Sequence, residues 1–102
     1  MKFFIAGVRF HDLPKVIRDV KVGEELNLVP EFDNAYDPNA VKIMRGETFC
    51  GYVPKIHSSE VSMLLSVSNK DEVKCTVTSV NPKANPWEMC EVEISIKEEP
   101  ND

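Results

Sequence analysis

The sequence predicts an all-β domain in which six short strands curl into a closed or partly closed barrel, with one or two short helices beside it. Three observations lead there. Apolar and polar residues alternate with a period of two over several short runs, most plainly Val92, Ile94 and Ile96 against Glu91, Glu93 and Ser95. Turn-forming clusters rich in Pro, Gly, Asn and Asp separate these runs at short intervals. Strands and helices do not alternate as a parallel sheet requires, and short strands in a small chain gain from closure because it removes exposed edges.

Taken in order, Phe3, Phe4, Ile5, Val8 and Phe10 read as a first strand, rich in aromatic and β-branched residues and bounded by the turn-prone His11–Pro14. The segment 13–20 is a helical turn or a loop, with Pro14 suited to a first helical position. Val22–Gly23 is a turn, and Leu26, Leu28 and Pro30 mark a second strand. Asp33–Asn39 is a dense cluster of turn residues. Val41, Ile43 and Met44 give a third strand, Arg45–Glu47 a tight hairpin turn and Thr48–Val53 a fourth strand. Ser58, Ser59 and Glu60 open an amphipathic helix carrying Val61, Leu64 and Leu65, which Asn69–Asp71 ends. Val73, Cys75 and Val77 form a fifth strand, Pro82–Pro86 a loop, and Val92–Ile96 the sixth strand.

The chain has 102 residues, enough for one domain and one modest core. Hydrophobic residues at 42% and charged residues at 28% fit a soluble globular domain and argue against a transmembrane, collagen-like, wholly disordered or two-domain chain. The net charge of -5 argues against a strongly basic nucleic-acid binder. The charge is uneven, however. Residues 1–23 sum to +3, and three of the acids lie in the last five residues, Glu98–Asp102, which read as an acidic disordered tail after a domain of residues 1–97. Cys50, Cys75 and Cys90 are odd in number, lack C-x-x-C spacing and sit in apolar runs, as buried free thiols of a reducing cytoplasm do. Met1–Val8 is not read as a signal peptide, because Arg9 cuts its apolar run short.

Catalysis has little support. No G-x-S-x-G elbow, H-E-x-x-H pair or phosphate-binding loop is present. His11–Asp12 reads as a surface turn rather than half of a triad, and Cys50 as a packed strand residue with no base spaced to activate it. Asp33, Asp37 and Asn39 have the alternating spacing of a calcium loop but lack its glycine and distant glutamate, so no metal or cofactor is expected. Two segments say more. Gly7–His11 puts a cation, an aromatic and an imidazole in succession; on an unbroken strand Phe10 would face the core, with Arg9 and His11 solvated. In Glu31–Val41, turn chemistry accounts for Asp33, Asn34 and Asn39 but not for Tyr36 at the tip of a polar loop. An aromatic there serves as a stacking platform for a base, and Asp37 beside it as an acceptor for a sugar hydroxyl.

Together, Gly7–Val8–Arg9–Phe10–His11, Val22–Leu26, the Asn34-x-Tyr36–Asp37–Pro38–Asn39–Ala40–Val41 core and Gly51–Tyr52–Val53–Pro54 resemble the HIRAN family over about residues 5–96. That family occurs at the N-terminus of some eukaryotic DNA-remodelling helicases and as small bacterial and phage proteins. The resemblance implies an OB-like six-stranded β-barrel and a non-catalytic module that captures the free 3′ end of single-stranded DNA, in DNA repair or replication-fork processing. It implies as contacts Arg9, Phe10, His11, Asn34, Tyr36, Asp37 and Tyr52, with Lys55 and Trp87 added as a phosphate contact and a base cap. Tyr36 would stack on the terminal base and Asp37 bond the 3′ hydroxyl. Phe10 and His11 stand where the helicase members carry two tyrosines, and Tyr52 where they carry a histidine. No helicase domain is present, so any DNA chemistry falls to a helicase or nuclease on another chain. The competing expectation is a module that grips a peptide at a strand edge or at a patch of Tyr36, Tyr52 and Trp87.

Overall fold

A computed structural model describes residues 1–97; the expected acidic tail at 98–102 lies outside the described residues. Six strands run in the order β1-β6-β5-β2-β3-β4, all neighbours antiparallel. They are β1 (Lys2–Phe4), β2 (Glu25–Pro30), β3 (Val41–Arg45), β4 (Thr48–Tyr52), β5 (Val73–Val80) and β6 (Cys90–Ile96). Two helices accompany them, α1 (Leu13–Val16) and α2 (Lys55–Val67). This is the OB-like β fold that the sequence predicts.

The sheet closes where β1 ends. Ile5 N–H still donates to the Cys90 carbonyl of β6 at 2.9 Å, whereas the next residue, Ala6, exchanges two backbone bonds of 2.8 Å with Tyr52 of β4. One edge of the curled sheet thus meets the other within two residues. Gly51 makes the approach possible. A Cβ there would strike the Ala6 carbonyl oxygen and lie 2.7 Å from Ile5 Cγ2. A bulge in β4 adds curvature: Ile43 pairs with Gly51 and Met44 with Phe49, so Cys50 is extra and alternation breaks there.

The inward residues are those the period-two pattern selects. Leu26 and Leu28, Val41 and Ile43, Val73, Cys75 and Val77, and Val92 and Ile94 are all buried. Phe3, Ile5, Leu13, Ile17 and Val61 are among the residues that pack with them in the core. The three cysteines are free and buried, and burial pushes Cys75 and Cys90 up to about 12. Burial also raises the Cys50 thiol, which leaves it inert as a nucleophile.

Two expectations need correction. The first strand stops at Phe4, not at Phe10. Gly7 adopts a left-handed φ of 68°, and Val8–Phe10 then forms a 3-10 turn. Side-chain alternation ends there, so Val8 is buried and Phe10 is 81% exposed. The long helix begins at Lys55 with Pro54 before it, one turn ahead of the serines, and ends at Val67. Ser58 is therefore inside the helix rather than at its start.

Candidate nucleic-acid interface

A groove of about 250 Å³ opens between the β2–β3 loop, the end of β4 and the first turn of α2. Ala6, Gly7, Ala40 and Val53 line it with apolar or bare backbone surface, and Asn34, Tyr36, Asp37, Tyr52 and Lys55 add polar groups. It therefore brings together five of the nine residues expected from the sequence. A small apolar floor with a few polar groups is the usual form of a ligand site.

Side-chain bonds shape the β2–β3 loop. Asn34 Oδ1 accepts the backbone N–H groups of Tyr36 at 2.8 Å and Asp37 at 2.9 Å, which is the turn chemistry expected of Asn. This fold-back leaves the Tyr36 ring 91% exposed at the tip of the loop. Asp37 Oδ1 accepts the Asn39 N–H at 2.8 Å, and Asp37 Oδ2 lies 2.7 Å from the Ser58 hydroxyl of α2. The Ser58 hydroxyl, then the Asn39 N–H, hold the Asp37 carboxyl below its ordinary range, so it is ionised at neutral pH.

A second carboxylate braces the loop from beneath. Glu31 Oε1 accepts from Asn34 Nδ2 at 2.7 Å and from the Tyr52 hydroxyl at 2.7 Å, while Lys42 Nζ stands 3.7 Å from Oε2. Those two donors hold Glu31 below its usual range. Burial, then the bond to Glu31, pushes the Tyr52 phenol up, so the hydroxyl keeps its proton and donates.

The remaining expected residues lie beside the groove rather than in it. His11 stacks on Phe49 with centroids 4.1 Å apart and meets Tyr52 edge-on at 5.3 Å, so it abuts the groove through the Tyr52 ring. Arg9 and Phe10 sit on the exposed 3-10 turn, the guanidinium 5.8 Å from the Phe10 ring centre. Trp87, 58% exposed, lies on the 3-10 turn Pro86–Glu88, which packs near the Val8–Phe10 turn. Of the expected aromatics that are exposed, Tyr36 lies at the groove, and Phe10 and Trp87 lie on the two adjoining turns.

Sequence reading passed over Glu31, Ser58 and Phe49. Glu31 opens the turn-rich run, yet its partner Tyr52 is 21 residues away. Ser58 has the look of a helix cap, and Phe49 that of an ordinary strand residue. Among the described residues, no group of three or more His, Cys, Asp or Glu could hold a metal ion. Nor is any described helix long and apolar enough to cross a membrane.

Comparison with known proteins agrees with the fold. A family model described as "HIRAN domain" matches residues 1–99. A Fanconi-associated nuclease 1 homolog of Arabidopsis thaliana is 31% identical over 83 residues, which is 80% of this chain and 9% of that protein. The chain thus spans under a tenth of that relative's length. Among solved structures, a Lactobacillus plantarum protein superposes with a TM-score of 0.76 at 19% identity, covering 91% of this chain and 87% of the other. The HIRAN domain of human HLTF superposes with a TM-score of 0.68 at 20% identity, covering 96% of this chain and 76% of that one.

Proposed function

This chain belongs to the HIRAN domain family, and from that premise we propose that it is a non-catalytic module binding single-stranded DNA by its free 3′ end. The observation that carries this reading is the Tyr36 ring, 91% exposed beside a groove whose polar groups include Asp37 and Lys55. An exposed aromatic gives a base a stacking face of about 1–3 kcal/mol whatever the sequence. Asp37, ionised and acceptor-only, accepts a hydrogen bond from a terminal hydroxyl. The same negative charge repels a terminal phosphate, which makes the site a reader of hydroxyl ends. Asn34 and Tyr52 shape the pocket, and Lys55 meets the phosphate before the terminal sugar. Arg9, Phe10, His11 and Trp87 extend the track along the adjoining turn.

In this reading the domain supplies recognition, and a helicase or nuclease on another chain supplies the chemistry of repair or fork processing in the cytoplasm. The overall charge of -5 predicts modest affinity with few phosphate contacts and so a shallow salt dependence. Fluorescence anisotropy at low salt tests the assignment, with one short strand ending in a 3′ hydroxyl and the same strand ending in a 3′ phosphate. The hydroxyl strand binds at least tenfold more tightly, and Asp37→Ala abolishes that preference, an effect of roughly the size expected for a hydrogen bond to a charged group. Equal binding to both ends refutes end recognition.

Peptide capture has one observation in its favour. The β2–β5 ladder holds two residue pairs, Glu25 with Thr76 and Leu26 with Cys75, and β2 continues past it to Pro30. An extended segment would add to the sheet along that continuing stretch. Failure of both DNA strands to bind turns attention to that edge.

A further inference from the structure

Ser58 is the one buried polar side chain among the described residues, at 2% exposure. A hydroxyl taken out of water is costly unless it is bonded. Its oxygen lies 2.7 Å from Asp37 Oδ2 and 3.0 Å from the Lys55 carbonyl oxygen. A hydroxyl has one proton to give. The shorter distance and the ionised acceptor assign that proton to Asp37, because bonds to charged acceptors are about twice as strong as neutral ones. The contact to Lys55 is one that any helical serine can make. The contact to Asp37 joins positions 21 residues apart and ties the groove's acid to α2.

This bond matters because of what the other carboxylate oxygen does. Asp37 Oδ1 already accepts the Asn39 N–H at 2.8 Å. With one donor on each oxygen, the carboxylate cannot rotate freely, yet two of its roughly four acceptor directions remain open. Asp37 also lines the groove. The geometry points to Ser58 as the positioning residue that orients the Asp37 carboxylate toward a ligand, and so as a determinant of preference for a hydroxyl-terminated strand. This inference rests on the 3′-end reading above. If Ser58 merely fastened the loop to the helix, its loss would displace Tyr36 as well and weaken every strand alike.

The test compares a strand ending in a 3′ hydroxyl with the same strand ending in a 2′,3′-dideoxynucleotide, which keeps the base and loses the hydroxyl. Wild-type protein prefers the hydroxyl end about tenfold. Ser58→Ala reduces that preference to about twofold or less, while affinity for the dideoxy strand changes less than about twofold. Ser58→Cys, nearly isosteric and a weak donor, does the same if the alanine variant folds poorly. A parallel loss for both strands with the ratio intact, or no change in either, overturns the inference. Wild-type protein that binds both ends equally removes the 3′-end reading itself, and that result is seen before any variant is made.

Discussion

The two walls of the groove hold their side chains by different means. On the wall formed by residues 31–40, side chains carry the structure. Asn34 caps two backbone N–H groups, Asp37 joins Asn39 to Ser58, and Glu31 gathers Asn34 and Tyr52. On the opposite wall, backbone carries it. Ala6 and Tyr52 exchange two main-chain bonds, and Gly51 fits against Ala6 with no room for a Cβ. Tyr52 belongs to both, through its backbone on one side and its hydroxyl on the other. The first wall is thus sensitive to charge and protonation, and the second to volume.

Gly51→Ala breaks the backbone wall and has the largest expected effect. Its Cβ meets main-chain atoms of Ala6, which cannot rotate away as a flexible side chain would, and Ile5 Cγ2 at 2.7 Å. Overpacking of this kind costs about 3 kcal/mol. For a domain of this size that lowers Tm by at least about 10 °C, read by circular dichroism on heating. A variant with unchanged Tm shows that the β1–β4 seam can open without cost and is not what fixes the groove.

How the two walls read in the sequence follows the same division. The alternating runs Val73–Val77 and Val92–Ile96 were legible because burial on a sheet face imposes period two on the residues themselves. Asn34 was legible because its partners, Tyr36 and Asp37, are two and three positions away. The early end of β1 was not, because a glycine followed by Val-Arg-Phe fits a strand as well as a turn until Gly7 takes its left-handed φ of 68°. Ser58 reads as a helix start because capping signals are local, whereas its partner Asp37 comes from another element. Glu31 escaped for the same reason. Residues that build the groove through long-range bonds leave no spacing to detect.

Glu31→Gln sharpens the comparison by removing a charge while keeping an acceptor. The glutamine oxygen still reaches Asn34 Nδ2 and the Tyr52 hydroxyl, but both bonds become neutral. The expected loss is about 1 kcal/mol, measured as a shift of the urea midpoint with the slope unchanged. The Tyr52 phenol also titrates at lower pH than in the parent, since the carboxylate that raised it is gone. That change, followed by ultraviolet absorbance, reports on the loop wall alone. An unmoved Tyr52 titration means that the 2.7 Å bond to Glu31 does not persist in solution.

Acid titration separates the two walls most gently. Glu31 and Asp37 both have folded-state values below their ordinary 4.5 and 3.8. A depressed carboxylate contributes stability that is whole above its ordinary value and lost as pH falls through the lower folded value. As pH falls below 4.5 the loop wall therefore weakens first. Amide exchange, with its pH-dependent chemical rate removed, shows protection falling at Asn34, Tyr36, Asp37 and Asn39. Protection at Ala6 and Tyr52 N–H, which are bonded to each other's carbonyls at 2.8 Å and to no titrating group, persists further into acid. Simultaneous loss at both walls shows instead that the loop is bound into the barrel as one cooperative unit. Tyr36 would then be held by the same free energy that closes the seam at Gly51.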